Sequence, residues 1–216
     1  MIVSATRVRG KVSKTELQDW QLPASVTLGD FAVEGWAAYP GLFAGGVMDI
    51  MTAALLERLP RFSSKSILDF CSGSGTIGGI LQSRYPSAKV TLLDADAIAI
   101  HAAGRNMELL NAGKPRCILS NCFDGLKSKK NFDWIVSNPP VHRNKANDFS
   151  VCKALATGAA RHLKADGTLF VVCQAYVPMR SMLTTFNSVT VLSGSDGRFN
   201  VWVARDPLNK KKRKRE

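Results

Sequence analysis

Residues 67–75 read ILDFCSGSG, an apolar run that passes directly into a turn rich in glycine and serine. Glycine in such a turn lets the backbone adopt positive φ angles and approach a ligand closely. A helical stretch follows at 76–83, and the N-terminus of a helix offers unpaired N–H groups. The stretch therefore predicts a strand, a tight loop that faces a ligand, and a helix, which together form the first βα unit of an α/β domain.

The same alternation of short β-branched runs and helix-length amphipathic stretches continues along the chain. The predicted strands are 66–70, 89–93, 117–120, 134–137 and 168–173. Helices are predicted at 96–110 and 150–163. Strands that alternate with helices indicate βαβ units, and right-handed crossovers place the helices on both faces of a parallel sheet.

The end of the chain has a different pattern. Residues 188–192 and 198–204 are rich in β-branched side chains, and SGSDG (193–197) between them predicts a hairpin. The fold class is therefore α/β and Rossmann-like, with a mostly parallel seven-stranded sheet that ends in an antiparallel pair. Upstream, 48–59 predicts an amphipathic helix. The expected organisation is a weakly patterned segment at 1–34, one domain at 35–206, and a disordered basic tail at 207–216.

The composition fits a folded domain with a polyanionic partner. The 216 residues are 45% hydrophobic and 21% charged, and the net charge is +12. Six positive charges form one run: Lys210, Lys211, Lys212, Arg213, Lys214 and Arg215. The rest of the chain is also basic, which favours RNA as a partner over a role in solubility alone. The run resembles a nuclear localisation signal, so we expect an intracellular protein that is nuclear or nucleolar if eukaryotic and otherwise cytoplasmic.

Several function classes are disfavoured by the sequence. No C-x-x-C pair occurs among the five cysteines, at 71, 117, 122, 152 and 173, and the three histidines are scattered. No metal site is therefore predicted. Free cysteines in apolar stretches indicate a reducing compartment. We see neither a signal peptide nor an apolar run long enough to span a membrane, so no membrane partner is expected.

The first loop and the second strand predict a nucleotide-like cofactor. Gly73, Gly75 and Gly78 match the dinucleotide fingerprint, and Asp94 ends the next strand about twenty residues later. A carboxylate there accepts hydrogen bonds from ribose in either NAD or S-adenosylmethionine (SAM). Asp69, just before the loop, suits a cationic amino acid tail better than a pyrophosphate, which favours SAM. The alternative is a plain tight connection in which Asp94 caps the next helix, although Asp96 is better placed as that cap.

The segment SNPPVH (137–142) follows a buried strand and predicts the chemistry. Proline has no N–H group, so the segment cannot continue a central strand, and its carbonyl oxygens remain available. The side-chain oxygen of Asn138 is a second acceptor. Two convergent acceptors can hold both hydrogens of an –NH2 group on a planar ring or amide and turn its lone pair toward an electrophile. An isolated Asn-Pro-Pro is a common turn, but its place after a predicted cofactor loop favours transfer of a methyl group to nitrogen.

On these residues the chain resembles the class I SAM-dependent methyltransferases. It is most similar to the catalytic domain of the bacterial small-subunit ribosomal RNA guanine-N2 methyltransferases, over roughly residues 35–205. The motifs that carry the resemblance are PGLFAGGVMDIMTAALLERLP (40–60), ILDFCSGSG (67–75), VTLLDADAIAIHAAGRNMELLNAG (90–113), LSNCFDGL (119–126), FDWIVSNPPVH (132–142), AYVP (175–178) and DGRFNVWVA (196–204).

The resemblance implies a placement for SAM. The methionine part would face Asp69 and the backbone from Cys71 to Gly75, and Asp94 would bind the ribose. Asn121 matches the position at which this family contacts the adenine, with Cys122 beside it.

The resemblance also implies the placement of a looped-out RNA base. Its amine would lie against Asn138 and the carbonyl group of Pro139, followed by Pro140. His142 matches the last residue of the family's N-P-P-F-H and would shuttle a proton or contact phosphate; alternatively it is a surface histidine. Asp133, on the preceding strand, is expected to be structural.

Three departures from the family bear on the site. The first loop glycine is Cys71, so we expect that turn to use a negative φ or a relaxed geometry. The aromatic after Asn-Pro-Pro is Val141, which would form an apolar floor and leave base stacking to Phe43 or His142. The family's duplicated, inactive N-terminal domain is missing from the sequence, so substrate docking is expected to fall to a partner protein, the N-terminal segment or the basic tail.

The predicted function is transfer of a methyl group from SAM to an exocyclic amine of an RNA base, with guanine N2 in ribosomal RNA as the first choice. The alternatives are N-methylation of adenine or of a protein glutamine, because Asn-Pro-Pro sites serve both. A non-catalytic assembly factor that binds SAM or RNA is a further alternative, and an NAD-dependent enzyme is the weakest.

Overall fold

A computed structural model describes residues 16–61, 66–112, 116–127, 132–143, 146–193 and 197–208, without the side chains of 142–147. The strands are β1 (Ser25–Leu28), β2 (Phe31–Glu34), β3 (Ser66–Phe70), β4 (Lys89–Asp94), β5 (Arg116–Leu119), β6 (Phe132–Ser137), β7 (His142–Arg143), β8 (Ala146–Asn147), β9 (Leu163–Gln174), β10 (Phe186–Ser193) and β11 (Phe199–Pro207). The α-helices are α1 (Ile50–Glu57), α2 (Thr76–Arg84), α3 (Ala97–Leu109), α4 (Ser150–His162) and α5 (Met179–Met182).

Seven strands form the central sheet in the order β10-β11-β9-β6-β3-β4-β5. The five strands from β9 to β5 run parallel, and β11 pairs antiparallel with both β9 and β10. This arrangement confirms the predicted Rossmann-like sheet with its terminal antiparallel pair. The predicted turn between β10 and β11 falls partly on 194–196, outside the described residues.

Helices cover both faces of the sheet, as predicted. On one face, α1, α2 and α3 pack with Ile67, Val136 and Val172 in one apolar cluster. On the other face, α4 and α5 pack with Leu68 and Ile135 in a second cluster. Period-2 alternation along each strand therefore assigns successive side chains to opposite cores.

The strand order positions the site. From β3 the chain moves outward to β4 and β5, and it then returns to the other side of β3 as β6. The order thus reverses between β3 and β6. In open α/β sheets such a reversal leaves a crevice at the carboxyl ends of the strands, where ligands bind.

The start of β9 differs from the prediction. The predicted strand begins at Thr168, after a closing turn, whereas β9 begins at Leu163, directly after α4. Leu163 pairs with Phe132, and the register then shifts before Thr168 pairs with Trp134. The polar residues between them are accommodated by this irregularity, so a pattern rule based on apolar alternation misses the first part of the strand.

Asp133 in β6 holds the starts of the neighbouring strands. Its Oδ2 accepts hydrogen bonds from the N–H (2.8 Å) and the hydroxyl (3.1 Å) of Ser66, and its Oδ1 lies 2.7 Å from Nζ of Lys164. Burial alone would raise its pKa, but the hydrogen bonds from Lys164 and Ser66 outweigh burial and keep the pKa below its ordinary value. The expected structural role of Asp133 agrees with these contacts.

We expect Asp133→Asn to lower the free energy of unfolding by about 1 kcal/mol at neutral pH, a modest loss because solvent screens a pair whose lysine is 38% exposed. A lowered pKa in the folded state stabilises the fold above the unfolded-state value, and that stability disappears as the pH falls through the folded-state value. Urea unfolding of both proteins should show a constant difference down to about pH 5 that shrinks below about pH 4. If the difference in free energy of unfolding between the two proteins stayed the same in strong acid, Asp133 would not stabilise the fold through a carboxylate of lowered pKa.

Candidate active site

The loop after β3 adopts left-handed backbone angles at three positions. Cys71 has φ +59°, Gly73 +54° and Gly75 +84°. Of the two alternatives expected at Cys71, a negative φ or a relaxed geometry, the negative φ is therefore wrong. The turn is held by backbone hydrogen bonds from the N–H of Ser72 to the carbonyl oxygen of Leu93 (3.0 Å) and from the N–H of Gly75 to that of Ser72 (2.8 Å). Neither bond involves the side chain of Cys71. A residue with a Cβ in this region costs about 1–2 kcal/mol, the kind of strain that concentrates at ligand sites.

Asp94 at the end of β4 joins the loop to the next helix. Its Oδ2 accepts a hydrogen bond from the N–H of Gly73 (2.8 Å), and its Oδ1 accepts one from the N–H of Asp96 (3.0 Å). The cap of α3 is Asp96, whose Oδ1 accepts from the N–H of Ile98 (2.7 Å). Asp94 therefore does not cap the helix, and its carboxylate is held at the cleft wall.

Asp69 lies behind the loop. It was predicted to lie against the ligand, but it is fully buried, does not line the cleft, and accepts a hydrogen bond at Oδ2 from the N–H of Gly78 (2.8 Å). Alternation along β3 turns its side chain toward α2. Burial raises its pKa to about 7, with the Gly78 hydrogen bond opposing and the charge of Asp94 adding to the shift. The direct contact predicted for Asp69 stays a prediction that this placement does not favour.

A buried polar network supports the loop from the side of α3. The indole N–H of Trp36 donates to Oγ of Ser74 (3.2 Å). The amide of Asn106 donates to the carbonyl oxygen of Ser74 (2.8 Å) and exchanges hydrogen bonds with the backbone of Ala37. Trp36 and Asn106 are almost completely buried. Sequence reasoning missed this support, although an asparagine on the apolar face of helix 96–110 was a signal for it.

The loop after β5 forms the next part of the wall. The hydroxyl of Ser120 donates to the carbonyl oxygen of Cys122 (2.8 Å) and accepts from the N–H of Gly125 (2.7 Å), so that Cys122 adopts φ +47°. Burial raises the pKa of the Cys71 and Cys122 thiols. Both are therefore neutral at ordinary pH, and neither is a thiolate nucleophile.

These loops enclose a cleft of about 500 Å³ at the carboxyl edge of the sheet. The size falls within the range of about 300–1,000 Å³ that is usual for small-molecule sites. The predicted site residues that line it are Cys71, Gly73, Asp94, Asn121, Cys122, Asn138, Pro139, Pro140 and Val141. Gly75 does not line the cleft; a Cβ there would lie 2.9 Å from Leu92 and 3.2 Å from Ala103, so close packing requires this glycine.

Asn138 is oriented by the beginning of α1. Its side-chain NH2 group donates to Oδ2 of Asp49 (3.0 Å) and to Oγ1 of Thr52 (2.9 Å). A carboxylate can only accept, so this contact fixes which way the amide faces. No described residue donates to Oδ1, which remains an acceptor at the cleft. Asp49 also caps α1 through the N–H of Thr52 (2.8 Å), and sequence reasoning missed both residues.

The remaining predicted residues are placed as follows. Pro139 is buried, Pro140 is exposed, and Val141, 3% exposed, packs into the core beneath the cleft. Phe43, 64% exposed, lies at the rim and can stack on a flat ligand. The backbone of His142 lies in β7, but its side chain and the basic run at 210–215 are outside what the structure describes.

Two further observations concern metal ions and membranes. Within the described ranges, no group of three or more histidine, cysteine or acidic side chains is arranged to hold a metal ion. In the same ranges, no helix is long and apolar enough to cross a membrane.

The sheet order, the glycine loop and the cleft define an α/β domain of the class I methyltransferase type. The chain belongs to the methyltransferase small domain family, whose sequence model matches residues 36–202.

Known relatives carry more specific names. The chain is 33% identical to "Ribosomal RNA small subunit methyltransferase C" of Serratia proteamaculans, over 92% of this chain and 56% of that protein. It is 34% identical to the protein of the same name from Pseudomonas paraeruginosa, over 78% and 50% of the two chains. The chain thus spans about half the length of these relatives.

A solved structure has the same fold. It is described as the T. thermophilus 16S rRNA N2 G1207 methyltransferase (RsmC) in complex with AdoMet and guanosine. Its TM-score is 0.77 at 24% identity, and the match covers 87% of this chain and 51% of that one.

Proposed function

We propose that this domain transfers a methyl group from SAM to N2 of guanine in ribosomal RNA. The observation that carries the proposal is the amide of the cleft residue Asn138, whose NH2 group is held by Asp49 and Thr52 and whose Oδ1 accepts from no described residue. The names of the relatives and the guanosine in the similar structure support the choice of guanine over other amines.

The cleft fits SAM chemically. Asp94 and Asn121 line the cleft, where Asp94 would accept hydrogen bonds from ribose hydroxyls and Asn121 would contact the adenine, and Gly73 leaves the loop open on the cleft side. Ser72 lines the cleft, and its buried Oγ has no described partner. When bound, SAM supplies an electrophilic methyl group on a sulfonium ion.

The reaction needs positioning more than a strong base. Oδ1 of Asn138 and the carbonyl oxygen of Pro139 would accept the two hydrogens of the guanine amine. Those bonds oppose delocalisation of the nitrogen lone pair into the ring and direct it along the line of attack. As the bond from N2 to the methyl carbon forms, the S–CH3 bond breaks to leave a neutral thioether, and the surplus proton on N2 would pass to solvent. A rigid approach of this kind accounts for much of the rate in two-substrate reactions. Val141 forms an apolar floor, and Phe43 at the rim would stack on the base, worth about 1–3 kcal/mol.

The direct test uses methyl-labelled SAM with unmodified ribosomal RNA, total RNA and a ribosomal-protein fraction, followed by digestion and identification of the labelled product. Label in N2-methylguanosine is the expected result. Label in N6-methyladenosine or methylglutamine would support methyl transfer to an amino nitrogen but would contradict guanine as the substrate. SAM binding without label in any fraction would instead favour an assembly factor or a requirement for a partner protein. Label that returns when the partner protein is added would support the proposed activity, and label that stays absent would contradict it.

The orientation of Asn138 can be tested through Thr52. We expect Thr52→Val to lower kcat by about five- to tenfold with little change in SAM affinity, because one hydrogen bond of about 1 kcal/mol to the Asn138 amide is lost. Valine keeps the shape of this buried residue. The measurement is steady-state kinetics on RNA together with SAM titration.

Thr52→Ser is the matched control, since serine keeps the hydroxyl and should keep most of the turnover. Thr52 would not act through Asn138 if the valine and serine variants had equal turnover. The same conclusion would follow if Thr52→Val lost as much SAM affinity as turnover.

The basic run at 210–215 is proposed to bind RNA. We expect removal of residues 209–216 to lower RNA affinity and to make it less dependent on salt, because each phosphate contact contributes roughly 0.7–0.9 to the slope of log K against log salt. The cut is placed after Leu208, whose N–H donates to Thr185, so that β11 stays intact. A truncated protein with the original slope would leave the run as a nuclear address signal only.

A further inference from the structure

Gln174 is a cleft residue that the sequence analysis did not consider. It is the last residue of β9 and lines the cleft together with Asn138. Alternation places it on the same face as Val172, whose side chain packs in the cluster that contains α1.

Gln174 and Asn138 are neighbours across two parallel strands. β6 and β9 pair with Val136 opposite Phe170 and Ser137 opposite Val171, so Asn138 falls level with Val172. Gln174 is two residues further along the same face, about 7 Å on, which is within reach of a long side chain. The amide of Gln174 therefore lies on the half of the cleft where the reacting amine is proposed to bind.

The oxygen of this amide has no hydrogen-bond partner in the part of the chain that the structure describes. Oε1 of Gln174 is buried, and no described residue donates a hydrogen bond to it. A buried acceptor without a donor is unfavourable and uncommon in folded proteins. Because the atom belongs to a cleft residue, rotation of the amide toward the cleft would let a ligand that carries a hydrogen-bond donor satisfy it.

We propose that Gln174 is a specificity-determining residue whose Oε1 accepts a hydrogen bond from N1–H of the target guanine. In guanine the ring N1–H is adjacent to the N2 amine, so two acceptors side by side, Asn138 and Gln174, match two adjacent donors. In adenine the ring nitrogen next to the amine is an acceptor and would oppose Oε1. This inference rests on the proposed guanine-N2 activity and adds the means by which the base is selected.

The test compares guanine with 2-aminopurine, which carries the same 2-amine but has no hydrogen on N1. The substrate is the RNA fragment that acquires label in the experiment above, synthesised with either base at the labelled position. The quantity measured is the ratio of kcat/KM for guanine to kcat/KM for 2-aminopurine. Comparing this ratio between variants cancels the intrinsic difference in reactivity of the two amines.

We expect Gln174→Leu to lower this ratio by about 10- to 100-fold, mostly through slower methylation of guanine, since only guanine loses a hydrogen bond. Gln174→Glu keeps an acceptor and should keep a ratio well above that of the leucine variant. SAM affinity and the thermal midpoint should change little in both variants. Gln174→Met provides a second apolar replacement if the branched leucine does not fold.

Gln82→Leu is the matched control. Gln82 lies on α2, and its NH2 group donates to the carbonyl oxygens of Tyr85, Pro86 and Ala88, away from the cleft. Its ratio should equal that of the wild type. If the ratio is unchanged in Gln174→Leu or Gln174→Met and guanine is still methylated, the proposed role of Gln174 is wrong, but the proposed function is not affected. A wild-type protein that forms no N2-methylguanosine would overturn the proposed function and this inference together.

Discussion

Replacing Asn138 by alanine is expected to lower kcat by about a hundredfold or more while SAM affinity stays within a few-fold of the wild type. The variant removes Oδ1, one of the two acceptors proposed for the guanine amine, and leaves Asp94 and the glycine loop untouched. Single-turnover methylation of ribosomal RNA measures the first effect, and calorimetric titration with SAM measures the second.

Asn138→Asp is the informative companion to this variant. Aspartate keeps an oxygen at Oδ1, but its second oxygen would lie against Oδ2 of Asp49, which accepts from the Asn138 NH2 group at 3.0 Å. Two carboxylates at that distance cannot both be ionised without cost. We therefore expect little rescue at neutral pH. Turnover that survives in Asn138→Ala would refute the argument from paired acceptors.

The sheet was predictable from the sequence because its strands are local and apolar. The segments 66–70, 89–93 and 134–137 each combine β-branched residues with a turn or helix at both ends, and each is a strand in the structure. The site residues that follow these strands were found for the same reason. The carboxyl ends of parallel strands meet at one edge of a sheet, so Asp94 and Asn138 had to face a common crevice.

The contacts that orient these residues were beyond the reach of the sequence. Asn138 lies 89 residues from Asp49 and 86 from Thr52, and Trp36 is 38 residues from Ser74. No periodic pattern links such positions, because each depends on how α1 and the segment before it dock on the finished sheet. Asp49 was seen only as part of a helical stretch that begins near it.

Two local details of the site were also not predictable from the sequence. Cys71 adopts the left-handed conformation usually reserved for glycine, because the backbone hydrogen bonds of the turn favour it over the residue's own preference. Asp69 is the last residue but one of β3, just before the loop, and position alone suggested contact with a ligand. The alternation of β3 directs its carboxylate toward α2 instead, where it accepts from Gly78.

Asp94→Ala is expected to weaken SAM binding by about a hundredfold, measured as Kd by calorimetry. The carboxylate holds the loop through Gly73 and is proposed to accept from the ribose, and losing hydrogen bonds to a charged group costs about 1.5–3 kcal/mol each. The control is Asp133→Asn, which alters a carboxylate at the opposite edge of the sheet and should leave the Kd unchanged. Equal affinity in Asp94→Ala and wild type would place the cofactor outside this cleft.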